Sequence, residues 1–479
     1  MMNVALQKKE KQSIRSVVKT KYFLIISLII LVLPFLIRSN FIIPGDDSYL
    51  INRIAETIIW NFNLSDQLSF AGRPLVYPLG TILFFSLFSK LNNLVFLFLP
   101  GLFGILSSWM FVKILKKFNI DNVTILVSFI ILLLSNTFLY NFTTVNFFMI
   151  PVFLMLLGFY LFLNNKYVLS LVLFSLMPFF GFFNFITSFF LVSLYLIYKK
   201  ENRKLGYYIL GVFITSIIAF LWQIVKFGLP DYSFQGFAYI LQNIITEFNG
   251  FGVSLFVIVL GLIGLKKLWE NKYKYNIIYL YLFMLSLLVF FEPKLIIYLT
   301  FLLSYLAALG LIKIYNTRWE VNSIKKITIA ILIFGIIFSG FGYTTKFESL
   351  EPNKNIQESL EYIRDTSNKE DVVFSHYKNG IFINSIAQRE NFIDKNFLYV
   401  QDIDERIKDN EDISHSRNLE KTKKLLNKYG IRYIYVTKDM TNGLVWNDDN
   451  DGLLFVARFS ENFIEVYEND DVQIWKYFP

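Results

Sequence analysis

Between residue 22 and about residue 343 the sequence is a succession of long apolar runs separated by short polar breaks. Runs near 18 residues or longer match the thickness of a bilayer when helical. They fall at 22–43, 92–113, 122–140, 145–163, 167–179, 182–198, 205–225, 249–267, 274–290, 295–314 and 326–343. The apolar part of 76–91 is only about 14 residues, the length of an interfacial or re-entrant segment. After residue 344 the pattern changes to that of a soluble chain. The stretch 347–375 reads as a helix followed by a strand, and 417–440 repeats that order, with Leu419, Leu425 and Leu426 on one helix face and Gly430 at a C-cap position. The stretch 463–478 reads as a hairpin turning at Asn469-Asp470-Asp471. The pattern predicts an α-helical polytopic membrane bundle of about eleven spans over residues 1–343, with a long outer loop at 44–91, followed by a small external α/β domain over 344–479.

Charge sets the orientation. If 76–91 does not cross, 22 Lys and Arg side chains fall on the side of the N-terminus and six fall in the opposite loops. A crossing at 76–91 reverses every later loop and destroys that asymmetry. The positive-inside rule therefore predicts a cytoplasmic N-terminus, an external C-terminal domain and residence in the cytoplasmic (plasma) membrane. The basic tail at 1–21 precedes an apolar run too long for the core of a cleaved signal peptide, so a retained first span is expected.

Composition narrows the chemistry. Hydrophobic residues make up 55% of the chain and charged residues 17%, which excludes an ordinary soluble domain. There is no cysteine, so thiolate chemistry and disulfides are excluded. Both histidines, His376 and His415, lie beyond the last apolar run, which excludes a histidine centre within the membrane. The net charge of +9 resides mostly in short loops between spans, which argues against nucleic acid as a partner.

The remaining candidates cluster in three outer loops. The first holds Asp46, Asp47, Tyr49, Arg53, Arg73 and Tyr77; the fourth, about 226–248, holds Lys226, Asp231, Tyr232 and Glu247; the fifth is Phe291-Glu292-Pro293-Lys294. A carboxylate at the membrane surface can act as a general base or orient an acceptor. Arg and Lys at the same depth can stabilise a departing phosphate. Plainer readings stand beside these. Asp46 or Ser48 can cap a helix, Arg53 can pair with Glu56, Arg73 and Lys294 can snorkel to lipid phosphates, and Glu247 can simply begin a helix.

Asp47-Ser48-Tyr49 followed by Arg53 resembles the Asp-x-Tyr…Arg pattern in the first outer loop of oligosaccharyltransferase catalytic subunits. These belong to the GT-C class of polyprenyl-phosphate-dependent glycosyltransferases. Arg73-Pro74…Tyr77-Pro78-Leu79-Gly80 is similar to the segment that closes that loop, after which the class has a non-crossing helix. Ile244-Ile245-Thr246-Glu247 resembles a relaxed form of the later catalytic motif, and Pro293-Lys294 stands where many relatives carry an arginine. Two positions depart from the family. The loop 140–146 has no carboxylate where oligosaccharyltransferases place a second acidic motif, and Ser375–Gly380 stands in place of Trp-Trp-Asp-Tyr-Gly.

The resemblance implies a membrane glycosyltransferase of GT-C type, inverting at the transferred sugar. Its partners would be a polyprenyl-phosphate-linked sugar donor, a glycan, lipid or protein acceptor, and membrane lipid. Asp47, Asp46 and Glu247 would be catalytic, and Arg53, Arg73, Tyr77, Lys294 and Tyr49 would bind substrate. With the second acidic motif missing, a divalent metal is possible but not favoured, and no cofactor is expected. The alternative is a non-catalytic membrane protein, either a transporter of lipid-linked glycans or an assembly subunit. The nearly charge-free spans count against a transporter.

Overall fold

The computed structural model describes residues 20–38, 42–60, 65–70, 72–88, 94–227, 234–246, 252–270, 272–273, 275–397, 400, 402–448 and 450–479. Helices stand on each apolar run. They are α1 (Thr20–Arg38), α2 (Asp46–Trp60), α3 (Leu79–Ser86), α4 (Leu94–Lys117), α5 (Asn122–Leu133), α6 (Asn136–Thr143), α7 (Met149–Leu163), α8 (Tyr167–Ser175), α9 (Phe182–Tyr198), α10 (Asn202–Phe227), α11 (Phe237–Ile244), α12 (Leu255–Trp269), α13 (Asn276–Leu288), α14 (Ile296–Asn316) and α15 (Asn322–Glu348). Among the described residues, four helical stretches are long and apolar enough to cross a membrane: Val95–Lys117, Arg203–Leu221, Pro293–Asn316 and Asn322–Glu348. Several others, such as Met149–Leu163 and Phe182–Tyr198, are apolar but shorter.

Two local features differ in an informative way from a plain run of spans. At about 1.5 Å per residue the eight residues of α3 reach roughly 12 Å, far short of the hydrocarbon core. The run expected as one helix over 122–140 is two helices, α5 and α6, bent by 62°. Leu134 leaves helical geometry with ψ near 0. The backbone N–H and hydroxyl of Thr137 both donate to the Gly252 carbonyl, which fixes the start of α6 on the chain entering α12.

The bundle core is mainly aliphatic and aromatic, and α12 and α14 cross in close backbone contact. A Cβ built on Gly264 would lie 1.9 Å from the Leu306 carbonyl oxygen, and one on Gly310 would lie 2.0 Å from that of Leu260. Glycine at both positions lets the two backbones touch, the small-residue solution to helix packing where lipid offers no hydrophobic drive.

The C-terminal residues form a five-stranded sheet covered on both faces. Strands β3 (Val372–Phe374), β4 (Glu390–Asn391), β5 (Ile431–Thr437), β6 (Phe463–Glu468) and β7 (Val472–Tyr477) run in the order β4-β3-β5-β7-β6. The first three are parallel; β5, β7 and β6 are antiparallel neighbours. Alternation along β5 sends Ile434 and Val436 to one face and Tyr433 and Tyr435 to the other. The first face packs on helices α17 (Ile403–His415), α18 (Leu419–Lys428) and α19 (Gly452–Phe459), and the second on α16 (Lys354–Thr366). Asn353 and Asn418 cap α16 and α18 by accepting from the N–H groups of Ile356 and Lys421.

The first polar loop is joined to this sheet. It contains a small ribbon of β1 (Ser65–Asp66) and β2 (Arg73–Pro74). Ser69 bridges to Asn391 on the edge strand β4, and the Asn391 N–H donates to the Leu68 carbonyl at 3.0 Å. Phe70 is buried in the core of the sheet unit. The bend before α2 is made by Gly45 at φ +82°, whose N–H donates to the Glu351 carbonyl at 2.9 Å.

Candidate active site

Asp47 lies in the first turn of α2 and is almost fully buried. Its neighbour Ser48 fixes the helix start by donating to the Pro44 carbonyl at 2.7 Å and by accepting from the Val145 N–H at 3.2 Å. Lys294, at the mouth of α14, donates from Nζ to Asp47 Oδ2 at 2.7 Å. The Glu292 carboxylate accepts from the Lys294 N–H at 3.2 Å and shapes that turn. Burial alone would push the Asp47 carboxyl up; Lys294 and then Lys395 outweigh it and hold the carboxyl below its ordinary value.

Lys395 comes from the loop after β4. Its ammonium is paired with Asp46 and lies 3.9 Å from Asp47 Oδ1. The same loop holds the other polar side chains of the site. The Asn396 carbonyl accepts from Arg73 Nη1, and the Asn396 amide donates to the Tyr77 hydroxyl at 3.3 Å. Ser69 donates to Asp394 Oδ2 at 2.6 Å, and the Asn396 N–H is received by Asp394 Oδ1 at 2.7 Å. Arg73 is buried with its guanidinium 4.8 Å from the centre of the Tyr77 ring, which in turn stacks on Phe147. Burial pulls the Arg73 pKa below its ordinary value, against the attraction of Asp394 and Asp66. Its Nε and Nη2 hydrogens have no acceptor among the described residues.

These groups border a cavity of about 520 Å³. Asp47, Arg73, Lys294, Lys395 and Asn396 form its polar end, while Phe147, Phe148, Phe179, Phe182, Phe183 and Phe220 line its apolar length. A site with one charged end and one aromatic flank suits an amphipathic ligand whose charge stays at the interface.

The structure brings together Asp46, Asp47, Arg73, Tyr77 and Lys294 from the sequence candidates. Arg53 and Tyr49 do not border this cavity. Both terminal nitrogens of Arg53 are taken by Asp66, at 2.6 and 2.7 Å, so its partner is Asp66 and not Glu56. The Tyr49 ring packs edge-on against Phe382. Glu247, Asp231 and Tyr232 lie outside the described residues, as does the side chain of Lys226. Lys395 and Asn396 escaped the sequence reading because no local pattern ties them to a loop some 320–350 residues upstream.

Asp46 and Asp47 are adjacent carboxylates at the start of α2. Each carboxylate of the pair is already matched to an ammonium group. Among the described residues no three His, Asp or Glu side chains converge. In the loop where a further carboxylate would stand, Asn146 accepts from the N–H groups of Phe148 and Met149 at the start of α7 and donates to the carbonyls of Asn141 and Thr144.

No protein-family model matches the sequence, and no curated protein sequence matches it. Solved structures do. The oligosaccharyltransferase of Archaeoglobus fulgidus in its apo form superposes with a TM-score of 0.65 at 12% identity, over 88% of this chain and 70% of that one. The chain has the GT-C glycosyltransferase fold. ArnT from Cupriavidus metallidurans, solved bound to undecaprenyl phosphate, matches with a TM-score of 0.55 at 10% identity, over 95% of this chain and 97% of that one. The mycobacterial arabinofuranosyltransferase AftD matches with a TM-score of 0.60 at 12% identity; 97% of this chain is covered but only 40% of AftD. With its apolar helices, the GT-C chain is a multi-pass membrane protein.

Proposed function

We propose that this protein transfers a sugar from a polyprenyl-phosphate-linked donor to an acceptor on the outer face of the cytoplasmic membrane. The observation that carries the reading is Asp47, a buried carboxylate at the charged end of a cavity whose remaining length is aromatic. The fold shared with glycosyltransferases, one of them solved with undecaprenyl phosphate, supports the same donor class. The polyprenyl tail lies along the phenylalanine wall and the phosphate sits at the polar end. Asp47 accepts the proton of an acceptor hydroxyl. The hydroxyl oxygen bonds to the anomeric carbon as the carbon–oxygen bond to phosphate breaks, with inversion in a single displacement. The polyprenyl phosphate leaves with the bonding pair, and Lys294 and Arg73 stabilise its charge. Tyr77 holds the Arg73 guanidinium in place. Eleven crossings, a cytoplasmic N-terminus and an external sheet domain follow from the distribution of Lys and Arg.

The test is transfer by purified protein in lipid vesicles from a polyprenyl-phosphate sugar donor. Asp47→Asn keeps the size of the side chain and removes its charge. General acid–base assistance is worth about 10²–10⁴-fold, so turnover is expected to fall by that much while the folded amount is unchanged. Full transfer by Asp47→Asn would sink the reading and favour a non-catalytic role.

A further inference from the structure

Two ammonium groups and two carboxylates meet at the polar end of the cavity. Lys294 serves Asp47, and Lys395 serves Asp46 with a second, longer approach to Asp47. Glu292 also lines the cavity and Arg73 stands opposite it in charge, so acidic and basic groups balance and the arrangement presents little net attraction to an incoming anion. Arg73 stands beside them with its Nε and Nη2 hydrogens unmatched among the described residues. Arg53 Nε is unmatched as well, so idle donors alone mark no site; Arg73 differs in lining the cavity, where a charged hydrogen bond to an anion can form. The loop carrying Lys395 also supplies the carbonyl that holds Arg73, so both cations are positioned by one segment.

We propose that Lys395 is a phosphate-binding residue that changes partner: in the free protein it neutralises Asp46, and on entry of a phosphate monoester or diester anion it joins Arg73 on the phosphate oxygens. The exchange does two things at once. It completes a two-cation cradle for the anion, and it removes a counter-charge from the carboxylate pair as the acceptor hydroxyl arrives. The C-terminal sheet unit, whose Asn396 and Phe397 also line the cavity, thereby contributes a charged ligand to it. Lys395 is 32% exposed as a side chain and Asp46 28%, so the ammonium has room to move. The inference rests on the donor reading above but is tested without sugar transfer.

The experiment measures binding of farnesyl phosphate, a short polyprenyl monophosphate, to the full-length detergent-solubilised protein by calorimetry, with inorganic phosphate as a second probe. Lys395→Met is expected to weaken farnesyl phosphate by about tenfold or more, the range for a lost charged hydrogen bond, and Lys395→Arg to restore most of it. Asp46→Asn is expected to tighten it, because the ammonium no longer has a competing partner. That sign separates the proposal from a structural role, in which losing the Asp46 pair would loosen the loop and weaken binding. Melting temperatures without probe identify any variant that fails to fold, and Asp46→Asn then decides alone. Unchanged affinity in Lys395→Met, or weaker affinity in Asp46→Asn, overturns the inference. Equal affinity for inorganic and farnesyl phosphate overturns its assignment to the lipid headgroup. Farnesyl phosphate binding with the expected pattern but no sugar transfer supports Lys395 and removes only the transferase reading.

Discussion

Arg53 and Arg73 belong to one polar loop and look equivalent along the chain, yet their surroundings differ completely. Arg53 is locked in a bidentate pair with Asp66, with side-chain exposures of 10% and 2%. Removing one partner of such a pair leaves an uncompensated buried charge, which costs about 3–5 kcal/mol. Asp66→Asn is therefore expected to lower the thermal midpoint and the yield of folded protein, while the donor KM of the molecules that do fold stays unchanged. Thermal unfolding measured beside initial rates checks this. A raised KM at an unchanged midpoint would return the pair to the substrate site. Arg73 has no carboxylate partner of that kind and lines the cavity, which Arg53 does not. The Asp-x-Tyr…Arg spacing places both Asp47 and Arg53 on one helix. At 3.6 residues per turn the six-residue interval turns Arg53 about 120° away from Asp47, but the spacing names no partner for either, and the pairing with Asp66 depends on the ribbon of β1 and β2 folding back.

Among the elements, apolar runs translated into helices nearly one for one, because hydrophobic length is a local property of the chain. The short α3 followed from the same arithmetic. The break between α5 and α6 did not. The bend falls at Ser135-Asn136-Thr137, a polar step too short to divide the apolar run by hydropathy alone, and Thr137 is held by Gly252, more than a hundred residues away. The edge strand β4 was equally hidden, being two residues long and held by β3 and by the outer loop. Close helix contact at α12 and α14 supplies a prediction at this scale. Gly310→Ala places a methyl group against the Leu260 carbonyl and is expected to force the helices apart, lowering the amount of monodisperse protein after solubilisation. Gly101→Ala in α4 has open space around the new Cβ and serves as the control. Equal behaviour of the two variants in size-exclusion chromatography would show that the crossing tolerates separation.

For the whole molecule, the proposed orientation rests on the count of cations and is open to a direct experiment. The chain lacks cysteine, so a single introduced thiol reports its own side of the membrane. Lys200→Cys, between α9 and α10, is expected to react with a membrane-impermeant reagent only after the cells are opened. Lys408→Cys, on α17, is expected to react in intact cells. Labelling of both from the same side would overturn the eleven-span arrangement. The junction between the outer loop and the sheet unit also has a consequence for biogenesis. Asp46 and Lys395 are 349 residues apart, and Arg73 and Asn396 are 323 apart. At about 5–20 residues per second, a ribosome reaches Lys395 roughly 20–70 s after it has made the first acidic pair. Throughout that interval Asp46 lacks its Lys395 partner and Arg73 lacks the Asn396 carbonyl, while Lys294 can already pair with Asp47. Under the proposed function, a chain stalled or cleaved before the sheet unit is expected to lack donor binding.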